Sequence, residues 1–112
     1  MAKYSLDEKS DKITINLQIE KDSTFHDLAK STIKAVKEAI TKKKKRVLYL
    51  EFNSNKTILF VKNPDLKEYW DVFIPEYILP YVSVIHFGIH TLRNDKPKNI
   101  IPKEYDTLFN PN

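Results

Sequence analysis

Of the 112 residues none is cysteine, and a single glycine, Gly88, occurs in the whole chain. The first absence excludes disulfides, cysteine-ligated zinc, iron–sulfur clusters and thiol nucleophiles, and it fits a reducing compartment. The second excludes a larger set of chemistries. Phosphate-cradling loops, dinucleotide-binding turns and nucleophile elbows each need several glycines, and this chain can build none of them. Arginine is scarce too: Arg46 and Arg93 stand against seventeen lysines. Bidentate recognition of phosphate and guanine favours arginine, so the basic residues here suit charge attraction better than base reading. The excess of Lys, Ile and Asn matches AT-rich coding, as in a phage or mobile element. No apolar run approaches the roughly 20 residues that span a bilayer. The start of the chain has no apolar leader segment. A cytoplasmic protein with no membrane partner is expected.

What is present is a folding composition, 41% apolar and 30% charged, with none of the marks of a disordered chain. A domain of this size buries roughly two-thirds of the surface of its unfolded chain, so one core suffices. Residues 1–11, polar and mixed in charge, are expected to be a flexible lead. Ile13, Ile15, Leu17 and Ile19 then alternate with Thr14, Asn16, Gln18 and Glu20, the period of a strand with one wet face.

Ser23 or Thr24 caps the helix that follows, with Asp27 in its first turn. Leu28, Ala29, Ile33, Val36 and Ile40 give that helix one apolar arc to about Thr41. Val47–Phe52 and Thr57–Val61 read as two strands joined by a turn at 53–56. Asn63-Pro64-Asp65 opens a second helix, whose apolar side is Leu66, Tyr69, Trp70 and Phe73 and which Pro75 and Pro80 bring to an end. Residues 81–92 read as one last strand, partly buried on both faces.

The order β-α-β-β-α-β predicts an α+β fold: a ferredoxin-like, split-βαβ, two-layer sandwich with one antiparallel sheet and one open sheet face. It occupies residues 12–92 as a single domain. Residues 93–112 are expected to form an extended, proline-containing tail that docks on this domain or on a neighbour. RNA-recognition modules share this element order but carry stacking aromatics on their outer strand faces. The first strand here shows only Thr14, Asn16 and Gln18 on that face, so membership does not follow.

Charge is the most informative pattern. Lys30, Lys34, Lys37, Lys42, Lys43, Lys44, Lys45 and Arg46 face only Glu38 within residues 30–46, and the remainder of the chain is net negative. Lys30, Lys34 and Lys37 make a stripe at helical spacing. These eight residues are the candidate nucleic-acid contacts, salt-dependent and indifferent to sequence. The plainer account is a solvated helix face with cations placed well for the helix dipole. Trp70 and Tyr77, with the apolar tail pairs Ile100-Ile101 and Leu108-Phe109, are the candidate protein-interface residues, against the plainer account that aromatics at this spacing are core.

His86 and His90 on one strand would lie about 13 Å apart, too far to share a metal. No metal or cofactor is expected, and no catalytic residue is assigned. Asp65, Glu68 and Asp71 recur every third residue, as the wet face of a helix does. The expected function is a small non-enzymatic binding module that self-associates and docks on a protein partner. The alternative is a sequence-indifferent nucleic-acid-binding protein using residues 30–46. A third reading, a small hydrolase or nuclease, requires His86, His90 and two carboxylates to converge.

Overall fold

The computed structural model describes residues 3–20, 22–53 and 64–108. Among these residues five strands form one mixed sheet whose spatial order is the chain order. These are β1 (Lys3–Glu8), β2 (Lys12–Gln18), β3 (Val47–Asn53), β4 (Val84–Phe87) and β5 (His90–Arg93). β1 and β2 pair antiparallel, β2, β3 and β4 run parallel, and β4 and β5 pair antiparallel. The fold is α+β as expected, but the sheet is mixed rather than antiparallel, and the described strands do not show the ferredoxin-like order. Helices connect β2 to β3 and β3 to β4, and a helical crossover returns the chain parallel to the strand it left.

The period-2 run forms a strand as its pattern dictates, although Thr14 on the expected wet face is buried and Asn16 and Gln18 are half-buried. Ile13, Ile15, Leu17 and Ile19 all lie in the core, beneath α1 (Phe25–Lys43), which buries Leu28, Ala29, Thr32, Ile33, Ala35, Val36 and Ala39. Thr24 is the N-cap: its hydroxyl accepts the Asp27 N–H at 3.2 Å. Ser23 closes the preceding turn instead, accepting from the Glu20 N–H at 3.0 Å. Asp65, in the first turn of α2 (Pro64–Glu68), accepts the Phe25 N–H at 3.1 Å. One carboxylate thus meets an unsatisfied donor at the start of α1 while lying in the first turn of α2.

The second helix does not stop at Pro75. It continues from α2 as a π-helical segment, Tyr69–Ile78, whose last bond runs from the Leu79 N–H to the Ile74 carbonyl, and then tightens into a 3-10 turn at Leu79–Tyr81. Tyr69, Phe73, Ile74 and Ile78 point into the core. Tyr69 stacks on Phe73 with ring centroids 5.4 Å apart and meets Phe52 edge-on at 5.9 Å. Its hydroxyl lies 2.6 Å from that of Thr32, which also donates to the Leu28 carbonyl at 2.6 Å. This buried Thr32–Tyr69 hydroxyl pair is therefore hydrogen-bonded, as a buried hydroxyl pair must be.

Two expectations change at the ends of the sheet. Residues 3–8, within the expected lead, are β1, with Tyr4 and Leu6 packed partly against the core. The expected last strand is a hairpin: Gly88 has φ +59°, and the Gly88-Ile89 turn reverses the chain. Glycine first in a two-residue turn is the pattern of a tight hairpin that follows strand twist. The tail docks on its own domain, one of the two outcomes expected of it. Asn94 donates to the Leu79 carbonyl at 2.8 Å, and the Lys98 N–H reaches Pro80 O at 2.8 Å. A last short helix, α3 (Glu104–Leu108), carries Tyr105 into edge-on contact with Tyr77 at 5.7 Å and Tyr81 at 5.8 Å. The expected strand Thr57–Val61 and turn 53–56 lie outside the described residues, apart from Asn53 at the end of β3.

Burial pushes the Tyr69 and Tyr105 hydroxyls well above the ordinary tyrosine value of 10.0, with the neighbouring Tyr81 hydroxyl adding to the effect at Tyr105. A raised folded-state value means these groups favour the fold fully below pH 10, and the contribution is lost as pH rises beyond it, because only the unfolded chain releases the protons. Each such tyrosine steepens the loss by about 1.4 kcal/mol per pH unit. Urea midpoints should hold steady through neutral pH and fall above pH 10, with a shallower fall in Tyr69→Phe.

Candidate functional site

α1 packs against the π-helical segment, and both share one core with the same sheet face. Among the described residues no helix covers the other face. Ligands of parallel sheets settle where strand order reverses and leaves a crevice at the carboxyl ends. This sheet has no reversal. A shallow cavity of about 380 Å³ does lie at that end, lined by Glu51, Phe52, His86 and Gly88. His86 is the register partner of Glu51, and its Nδ1 lies 3.1 Å from the Thr91 hydroxyl. His90 is turned to the opposite face, beside Trp70 at 6.3 Å. The hairpin separates the two histidines, so the convergence a hydrolase would need is not formed. Among the described residues no group of three or more His, Asp and Glu side chains is placed to hold a metal.

The amino ends of the parallel strands are different. Lys12 opens β2 opposite Val47, and Arg93 closes β5 opposite Val84. Lys9 sits in the β1–β2 turn, where its N–H bonds Lys12 O at 2.8 Å. The exit of α1 delivers Lys42 to Arg46 to the same end, since the Val47 N–H bonds Asp11 O at 3.2 Å. Lys96 and Lys98 join from the returning tail. With Arg93, Asn94, Pro75, Leu79 and Pro80 they line a cleft of about 340 Å³. The Lys43 ammonium donates to Asn99 at 2.7 Å and ties the two cation groups together. Ten of the nineteen cations in the chain thus collect at one end of the sheet. Glu8, Asp11 and Asp95 are the nearby acids.

The eight expected contact residues divide. Arg46 serves the fold: it pairs with Glu8 at 3.2 Å and donates to the carbonyls of Lys9 and Lys43, each at 3.3 Å, and to that of Lys42. Lys37 pairs with Asp106 of α3, and Lys42 lies 3.8 Å from Glu8. Lys44 and Lys45 stand exposed, and neither side chain makes a hydrogen bond or ion pair among the described residues. Lys44 also holds φ +53°, a left-handed φ that glycine would adopt without strain. Lys30 and Lys34 are exposed on α1, but Asp27 and Glu38 flank them. They sit about 15–20 Å along the helix from its exit, at 1.5 Å per residue. The stripe and the run are therefore separate. What sequence reasoning missed is Lys9, Lys12, Arg93, Lys96 and Lys98, which only strand register and the docked tail bring beside Lys44 and Lys45.

The expected interface residues also divide. Trp70 packs on Phe52 at 5.9 Å and Phe87 at 5.3 Å, and Tyr77 stacks on Phe73 at 5.7 Å. Ile101 lies partly buried against the core, whereas Ile100 is 83% exposed. Leu108 ends α3, and Phe109 lies outside the described residues. Among the described residues no helix is long and apolar enough to cross a membrane.

No family model matches the chain, and neither a curated protein nor a solved structure matches it significantly.

Proposed function

We propose that this chain is a non-enzymatic binding module that grips the phosphate backbone of a nucleic acid, without reading base sequence, at the amino ends of its parallel strands. The carrying observation is the convergence there of cations from four separate stretches: the β1–β2 turn, the exit of α1, the end of β5 and the tail. Lysine ammonium groups supply point charge without the planar fork that reads guanine, which suits backbone contact. A docking site for a protein partner built on Trp70, Tyr77, Ile100, Ile101, Leu108 and Phe109 has less support, because Trp70, Tyr77 and Ile101 are already engaged in the chain's own packing.

Fluorescence anisotropy on a labelled duplex across a salt series tests this. Neutralising about five phosphates gives a log–log slope near −4.5. Replacing Lys44, Lys45, Lys96 and Lys98 by Gln should flatten the slope by up to about 3.6 and weaken binding on unrelated sequences alike. Lys30→Gln with Lys34→Gln should have the smaller effect. Affinity indifferent to salt, or untouched by the four-site variant, would remove the proposal.

A further inference from the structure

β1 is an edge strand. Only β2 pairs with it, and among the described residues nothing pairs with its outer side. In an antiparallel ladder alternate residues direct N–H and C=O toward one neighbour, so every second residue of β1 presents a donor and an acceptor outward. Such an edge is a template for another strand. Its side chains say which strand fits.

Tyr4 and Leu6 lie on the helix-covered face of the sheet, packed partly against the core, and Lys3, Ser5 and Asp7 lie on the uncovered face. A second copy of β1 related by a two-fold axis through Ser5 keeps both faces aligned. It sets Ser5 opposite Ser5, Lys3 opposite Asp7 twice, and Tyr4 opposite Leu6 twice. Every opposed pair is complementary in charge or in polarity. Shifting the axis to Leu6 sets Tyr4 opposite Glu8 and leaves Lys3 beyond the paired segment, so the charge pairs are lost. Lys3 and Asp7 are exposed and make no ion pair among the described residues, whereas Glu8 on the same strand is already held by Arg46. We infer that β1 pairs with β1 of a second copy of this chain in the Ser5-centred register, giving a symmetric dimer with one continuous ten-stranded sheet. A two-fold contact of this kind is self-complementary and closed.

Charge reversal tests the register. Nuclease-treated protein should sediment as a species of twice the 13.2 kDa chain mass, with β1 amides protected in hydrogen exchange. Lys3→Asp alone and Asp7→Lys alone each place like charges opposite one another at two symmetric positions and should weaken the dimer by about tenfold. The double variant restores opposite charges and should recover the dimer. Circular dichroism of the variants should match the parent, since both side chains are exposed. A monomer at all concentrations, a dimer unmoved by the single reversals, or a double variant that fails to recover would each overturn the inference. The salt-dependence test on nucleic acid is read separately, so either proposal can fail alone.

Discussion

Tyr69→Ala is expected to lower the unfolding free energy by about 3–5 kcal/mol, the cost of emptying a core aromatic site. Tyr69 is fully buried, stacked on Phe73, in edge contact with Phe52 and bonded to Thr32. It therefore joins the π-helical segment to α1 and to β3 at once, and no small residue can fill that space. Two companion variants separate packing from hydrogen bonding. Tyr69→Phe keeps the ring and leaves Thr32 its bond to the Leu28 carbonyl, so about 1 kcal/mol is expected. Thr32→Val strands the Tyr69 hydroxyl in the dry interior, and about 1–3 kcal/mol is expected. Denaturant midpoints at unchanged slope give the comparison. A Tyr69→Ala loss below that of Thr32→Val would show that the ring does not fill the core as described.

Ending the chain at Arg93 should cost about 3–5 kcal/mol. The lost contributions are the burial of Tyr105 and Ile101, about 2–3 kcal/mol for a large side chain, and the hydrogen bonds of Asn94 and Lys98 to the turn at residues 79–83, about 1 kcal/mol each. Tyr105→Ala alone, in the intact chain, should reproduce roughly half of that loss. The exposed Lys37–Asp106 pair should add little, because solvent screens it. The truncated chain would also lack Lys96 and Lys98, so its weakened duplex binding has to be compared with Lys96→Gln and Lys98→Gln in the intact chain. Thermal and urea unfolding of the two forms settles the stability term, and equal midpoints would mean that the segment does not brace the domain.

Much of the fold was legible where one residue period carries one physical demand. The alternation at Ile13–Ile19 and the helical arc of α1 each bury a single face, and both elements form where the pattern places them, Thr24 cap included. β1 was not legible because an edge strand buries little: Tyr4 and Leu6 are its only apolar residues among polar and charged neighbours. The hairpin inside residues 81–92 was hidden by continuous β-branched and aromatic content, although Gly88 marked its turn. Pro75 misled because proline ends an α-helix, whereas the wider winding here carries the chain past it. The candidate site was half legible. Lys44 and Lys45 belong to a run visible in one dimension, but Lys9, Lys12, Arg93, Lys96 and Lys98 gather beside them through parallel register and tail docking, which no local spacing encodes. Arg46 belonged to the same run and turned out to hold the β1–β2 turn to the exit of α1.

The coincidence of spatial order with chain order has a consequence for assembly. In a sheet where each new strand lies beside the one made just before it, no segment has to be inserted between two that are already joined. The two antiparallel hairpins join partners close in sequence and form quickly, whereas the parallel pairs wait on their crossovers. During synthesis, β1, β2, α1 and β3 can consolidate while later residues are still being added. Residues 94–106 then fasten the segment 77–83 and reach α1 through Lys37 and Lys43, so a later stretch braces elements formed before it.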